Sequence, residues 1–287
     1  DVHRTARAPV AMLTADLTDP SGYGRVVRSS SGAVTRIVEQ ADLAPDEARI
    51  AEVNAGVYVF EPGTLRAGLS ALHPANAQGE YYLTDVIGWA LSQGRRVEAL
   101  RADPEQILGI NSRRELAAVE ALMRRRILDR LMDAGVTVVD PAATYVHATV
   151  RVGYDTVIHP QSYLEGTTVV GAGCTIGPQA HVVDTTLADR VRVVASTVVG
   201  SEVGEGTTIG PYSRLRRGSR IGRFVEIGNF AEIKNATVGD RTKIHHKSYI
   251  GDATLGEQVN IGAGTVTCNY DGTRKHHTVI EDGAFIG

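Results

Sequence analysis

Cysteine is nearly missing from this 287-residue sequence; Cys174 and Cys268 are its two, set far apart. That excludes a disulfide framework and a cysteine metal quartet, and it points to a reducing, cytoplasmic setting. Aromatic residues are few, at 5%, as expected of a core built from stacked valine and isoleucine. An excess of one charge is lacking too. The formal net charge is −3 and the pI ≈ 6.3, which argues against a general nucleic-acid binder or a membrane-surface protein. No apolar run is long enough to span a bilayer, and no signal peptide opens the chain. A nucleotide-binding glycine fingerprint and a histidine cluster with metal-ligand spacing are also missing.

What is present is a six-residue repeat that runs from Val152 to the end. Val152, Ile158, Leu164, Val170, Ile176 and Val182 share one register, and after a slip Val203, Ile209, Leu215, Ile221, Ile227 and Ile233 share another. Val238, Ile244 and Ile250 follow, then Leu255 and Ile261, then Ile280 and Ile286. Glycine often comes next, as at Gly153, Gly204, Gly228 and Gly239. Such a repeat reads as a parallel β-helix, whose units bury their apolar side chains only by stacking on one another. The small residue beside each aliphatic one lets the chain turn where a Cβ would clash.

The first part reads differently. Residues 10–17, a hairpin within 24–39, residues 53–60 and 96–101 fit strands; 62–72 and 83–93 fit helices. That alternation predicts an α/β domain. Ser112 and Glu115 form a capping box ahead of a helix to about Gly135, with Leu116, Val119, Leu122, Met123, Ile127, Leu131 and Ala134 as its apolar stripe. Arg124, Arg125, Arg126 and Arg130 read as its solvated face. The predicted division is 1–111, a linker helix at 112–135, and a β-helix at 136–287. No start methionine and no capping helix at the far end predict a fragment of a longer protein.

Departures from the repeat carry the chemical signal. Arg216 and Lys234 replace glycine three hexads apart, which stacks them on adjacent rungs if three hexads make a coil. Strands lie about 4.8 Å apart, where like charges repel by about 1 kcal/mol in water. The pair is therefore either an anion clamp, with phosphate the natural guest, or two solvated cations splayed apart. His245 and His246 interrupt the next coil, and His246 falls above Ala263 beside the bare Gly262–Gly264 surface. A histidine there is either a base able to take a proton near neutral pH or an ordinary surface side chain. The repeat breaks at TCNYDGTRKHH, an excursion that either reaches a neighbouring subunit through Lys275 or is decoration. Earlier in the chain, the GYGR turn, Glu39, Asn54 and Asn111 are polar positions at strand ends and junctions, where α/β domains often hold ligands.

The segments DPSGYGR, RIVEQ, EVNAG, NAQGEYYLTD, IGPYSRLRRG, GNFAEIKNA and NIGAGTVTCNYDG, in this order, resemble the bacterial bifunctional N-acetylglucosamine-1-phosphate uridyltransferase / glucosamine-1-phosphate acetyltransferase family. The resemblance implies a Rossmann-like nucleotidyltransferase domain, present here in part, a linker helix, and a left-handed parallel β-helix of hexapeptide repeats that forms a homotrimer. It implies acetyl transfer from acetyl-CoA to the amine of glucosamine-1-phosphate, with His246 as the general base. Arg216, Lys234, Tyr249, Asn260 and Lys275 then match sugar-phosphate positions, and Ala263, Asn269 and Tyr270 match acetyl-CoA positions. The first half would make UDP-N-acetylglucosamine for the cell wall from UTP and N-acetylglucosamine-1-phosphate with Mg2+. Gly24, Glu39, Asn54 and Asn111 match its product-binding residues, and Asn111 matches a metal ligand. The family's glycine-rich phosphate loop, lysine and metal-binding aspartate have no match here, so the resemblance predicts no uridyltransferase activity. The family's last coils lack a match as well, which predicts weakened acetyl-CoA binding. Competing readings are a sugar-1-phosphate nucleotidyltransferase with a non-catalytic β-helix, a hexapeptide O-acyltransferase, and a structural trimer. The His246 coil and the NYDG excursion speak against a passive scaffold.

Overall fold

The computed structural model describes residues 8–287. The chain divides into two compact units, Asp1–Glu115 and Leu116–Gly287. In the first, strands β1 (Val10–Asp16), β2 (Arg25–Arg28), β3 (Val34–Val38), β4 (Glu52–Phe60) and β5 (Val97–Arg101) form one sheet in the order β3-β2-β4-β1-β5. Only the β1–β5 pair is parallel; the others are antiparallel. The parallel edge strand follows helices α1 (Pro62–Ser70) and α2 (Asp85–Ser92), which supply the crossover that parallel pairing needs. Val10, Met12, Val26, Val34, Ile37, Ile87 and Ala90 form its core. The two helices approach at Gly68, where a Cβ would lie 2.6 Å from Val86 Cγ1.

Helix α3 (Arg113–Asp133) begins with the capping box: Ser112 Oγ accepts from Glu115 N at 3.2 Å, and Glu115 Oε2 accepts from Ser112 N at 2.7 Å. The predicted apolar stripe is only partly used. Leu131 is buried as expected, but Leu128, outside that stripe, is fully buried with it, while Leu116 and Met123 are 48% and 46% exposed. Leu128 and Leu131 join the first layers of the solenoid core, with Val136, Val138 and Ile158. The arginine face is not simply solvated either. Arg124 lies over the Tyr145 ring at 4.6 Å, which stacks in turn on Tyr163 at 4.8 Å.

The solenoid has three parallel faces. The first runs from Thr144–Val146 to Tyr249–Gly251, the second from Arg151–Val152 to Thr278–Ile280, and the third from Thr137–Val138 to Phe285–Ile286. One inward column per face makes the core. On the third it reads Ile158, Ile176, Val193, Ile209, Ile227, Ile244, Ile261, Ile286. The slip between Val182 and Val203 is no gap, since Leu187, Val193 and Val198 continue the columns. Corners there are one residue shorter. At such corners Asp184 (φ 49°), Gly200 (φ 54°), Asn235 (φ 47°) and Asp252 (φ 49°) turn the chain in the left-handed region, which Asn and Asp tolerate.

The corner glycines after the aliphatic residues serve a different purpose. A Cβ on Gly239 would lie 2.4 Å from the carbonyl carbon and oxygen of Gly256 on the next rung, and one on Gly204 would lie 2.5 Å from those of Gly222. At Gly239 and Gly204 glycine is there because neighbouring main chains touch.

Candidate functional site

The two cations predicted to stack do so. Arg216 pairs with Lys234 in register on the first face, and Lys234 with Gly251 on the next rung. Arg216 is partly neutralised, as its Nη1 bonds Glu232 Oε1 at 3.0 Å. Lys234 has Lys275 of the excursion beside it. Lys275 thereby holds Lys234 below the ordinary lysine value. Lys275 itself is raised, by its contact with Lys234 and then by Asp252. Three cationic side chains from two chain segments therefore converge, and such a cluster suits an anion with several oxygens.

Within this chain, Lys275 arrives because the 267–277 excursion folds back onto its own solenoid. Thr267 Oγ1 accepts from Gly251 N at 2.8 Å and donates to Gly251 O at 3.1 Å. Asn269 Nδ2 donates to Gly251 O at 3.2 Å and to Asp252 Oδ2 at 2.9 Å. The tip is tied by Asp271, which accepts from Thr273 N at 2.8 Å, Arg274 N at 2.7 Å and His276 Nε2 at 2.6 Å. Those bonds, His276 foremost, lower its pKa to about 2. The excursion is thus docked on its own solenoid.

Tyr249 lies on the rung below Lys234's neighbour Glu232, with its ring folded across Gly251. His246 occupies the exposed corner between the third and first faces, at φ 59°. Its ring is 5.5 Å from that of His245, edge to face, and among the described residues no hydrogen bond or ion pair engages its side chain. His245 is engaged instead, 3.2 Å from Glu226. Gly264 N donates to His246 O at 3.2 Å, which brings the Gly262–Gly264 corner, with exposed Ala263, directly under His246. Asn260 is not grouped with the cations. It is paired with Lys243 on the third face, across that corner from Tyr249. Tyr270 is 62% exposed and its hydroxyl bonds Gly272 O within the excursion at 2.6 Å. The sequence reading missed Gly251, Asp252 and Asn235. Gly251 looks like any other glycine of the repeat, and Asn235 and Asp252 differ only in breaking from the usual corner residues.

In the first unit Gly24, Glu39 and Asn54 come together. Asn54 N donates to Gly24 O at 2.8 Å, and a Cβ at Gly24 would stand 3.2 Å from Glu39 Oε2. Glu39 Oε1 accepts from Thr84 Oγ1 at 2.8 Å at the edge of a cleft of ≈ 390 Å³ lined also by Asp42, Asn76, Tyr82 and Trp89. Nearby, burial pushes the Tyr58 phenol up. Asn111 is not grouped with them; two residues before it, Gly109 N–H donates to Tyr23 Oη at 2.9 Å. Tyr23 belongs to the GYGR turn singled out in the sequence. Asn111 offers one amide oxygen to a magnesium ion, which takes oxygen ligands and usually a carboxylate. Glu115 Oε2 is occupied by the N–H groups of Asn111 and Ser112, and among the described residues no group of three His, Cys, Asp or Glu could hold a metal. No described helix is long and apolar enough to cross a membrane.

The family model described as Nucleotidyl transferase matches residues 1–105. A protein of Pelotomaculum thermopropionicum named Bifunctional protein GlmU is 51% identical over 99% of this chain, and one of Heliobacterium modesticaldum with the same name is 48% identical over 100%. The chain spans 63% of the length of each. Among solved structures, a hexapeptide transferase family protein from Anaplasma phagocytophilum is 19% identical, with a TM-score of 0.29, over 54% of this chain and 79% of that one.

Proposed function

We propose, from likeness along its whole length to proteins named as bifunctional, that this chain carries the acetyl-transfer centre of an enzyme that also transfers a nucleotide. Acetyl passes from acetyl-CoA to the amine of glucosamine-1-phosphate on the solenoid. The first unit contributes the Gly24, Glu39 and Asn54 part of a site for UDP-N-acetylglucosamine. The observation that carries the reading is the convergence of Arg216, Lys234 and Lys275 on the face next to the corner that presents an unengaged His246.

The cations hold the sugar phosphate, with Tyr249 beside them. The amine then lies toward His246, whose free ring nitrogen takes a proton as the amine attacks the thioester carbonyl. Collapse of the tetrahedral adduct expels the thiolate, which takes up a proton as the amide forms. Ala263 and Asn269 border the path of the thioester. A corner is convex, so a neighbouring copy closes the site, and Asn260 on the far side of that corner serves the site of such an assembly. A homotrimer is the proposed assembly.

The test is thiol release from acetyl-CoA with and without glucosamine-1-phosphate, in the chain and in His246→Ala. Release that needs both the amino sugar and His246 is the expected result. Equal release with a hydroxyl acceptor, or full activity in His246→Ala, would overturn the reading.

A further inference from the structure

Asp252 stands where the excursion joins the rung that carries Tyr249, and the proposed chemistry gives it no part. Its Oδ1 accepts from Asn235 Nδ2 at 2.8 Å, and its Oδ2 accepts from Asn269 Nδ2 at 2.9 Å. Lys275 Nζ is 3.9 Å from the same Oδ2, and the aspartate side chain is only 17% exposed. One partner belongs to the preceding rung and two to the excursion. A single carboxylate thus binds together both segments that deliver the lysines.

The other charged or titratable groups facing Lys234 and Lys275 are Arg216 and Tyr249. Glu232, the acid on Lys234's own strand, is committed to Arg216. Without Asp252 the two ammonium groups would face each other and Arg216 with no free counter-charge, and long, flexible lysine side chains would splay apart. Resting on the proposed function of this site, we propose that Asp252 is a positioning residue for a phosphate-monoester clamp: it touches no substrate atom, but keeps Lys234 and Lys275 side by side so that both donate to one phosphoryl group. Asn269, the amide that ties the excursion to it, shares that task.

Asp252→Asn is a mild probe. Asn235 holds the same left-handed corner one rung earlier, at φ 47° against 49°, so asparagine fits the backbone. The experiment is a 31P titration of the whole chain with inorganic phosphate and with glucosamine-1-phosphate, from about pH 7 to about pH 10. Lys234→Ala, Asp252→Asn and Asn235→Ala are run alongside. Asp252→Asn is expected to weaken binding about tenfold, the loss of one charge-assisted contact. Its alkaline limb should move to lower pH, because Lys234 loses the carboxylate that favours its charged form. Asn235→Ala, which removes no charge, should weaken binding less and leave the limb in place. Binding and limb unchanged in Asp252→Asn, with binding lost in Lys234→Ala, would overturn the inference and leave the anion site standing. An equal shift of the limb in Asn235→Ala would overturn the electrostatic role. No loss in Lys234→Ala would overturn the site and the inference together.

Discussion

Gly239→Ala should unfold the solenoid early, while Gly228→Ala should not, although both glycines follow a core aliphatic residue at the same place in the repeat. A methyl on Gly239 would stand 2.4 Å from the carbonyl carbon and oxygen of Gly256 and 2.7 Å from Glu257 N. These are main-chain atoms of a paired rung, and they have no rotamer to escape into. A methyl on Gly228 would meet His245 Cα at 3.3 Å and its side chain at 3.4 and 3.5 Å, a contact that a small shift relieves. Neither glycine has positive φ, so both replacements gain the same small benefit, about 0.4–1 kcal/mol, from a less flexible unfolded chain. Their difference isolates the clash. Overpacking a tight site costs about 1–3 kcal/mol, and each kcal/mol lowers the Tm of a unit of this size by about 2–4 °C. Gly239→Ala should therefore melt roughly 2–12 °C below Gly228→Ala when followed by circular dichroism. Equal melting temperatures would refute the idea that main-chain contact, and not turn conformation, demands glycine at these corners.

Three further outcomes are expected. A methyl at Gly251 would stand 2.6 Å from Tyr249 Oη and 2.7 Å from its Cε1 and Cζ, so Gly251→Ala should swing the phenol away. If the proposed acetyl transfer holds, the KM for glucosamine-1-phosphate should then rise about fivefold, one lost contact of about 1 kcal/mol, with kcat nearly unchanged in steady-state assays. The Asp271 carboxylate, lowered to about 2, favours the folded excursion above the ordinary aspartate range and loses that advantage as pH falls from about 4 to about 2. Line widths of the Thr273 and Arg274 amides should report the loosening in that window, and sharp, unshifted signals below it would count against the assignment. Leu128→Ala, at a fully buried position, should cost about 2–5 kcal/mol; Leu116→Ala, 48% exposed, should leave the denaturant midpoint near the parent's.

Much of this was legible because the repeat has a fixed length. A spacing of three hexads is enough to put Arg216 on Lys234, and the hairpin register that pairs Arg25 with Val38 brings Gly24 and Glu39 face to face. Legibility fails where length varies. Leu187 and Val198 drop out of the six-residue register because Asp184 and Gly200 close shorter corners. Asp252 escaped notice because its partners Asn269 and Lys275 return along an excursion whose path no period describes. Helical spacing named Leu116 and Met123 as core, but spacing cannot say what covers a face, and only the last turns of α3 meet the solenoid core. The same holds for Arg124, whose aromatic partner comes from a later strand.

The glycine corners have one more consequence. Where one main chain rests on the next, the pitch of the solenoid becomes a hard stop, set by atoms common to every residue. It works as a graduated ruler on which side chains are interchangeable pegs. Arg216, Lys234 and Tyr249 sit on successive marks of that ruler. Replacing a peg changes what the surface recognises without moving its neighbours, so this scaffold can be retuned for a differently charged guest one rung at a time.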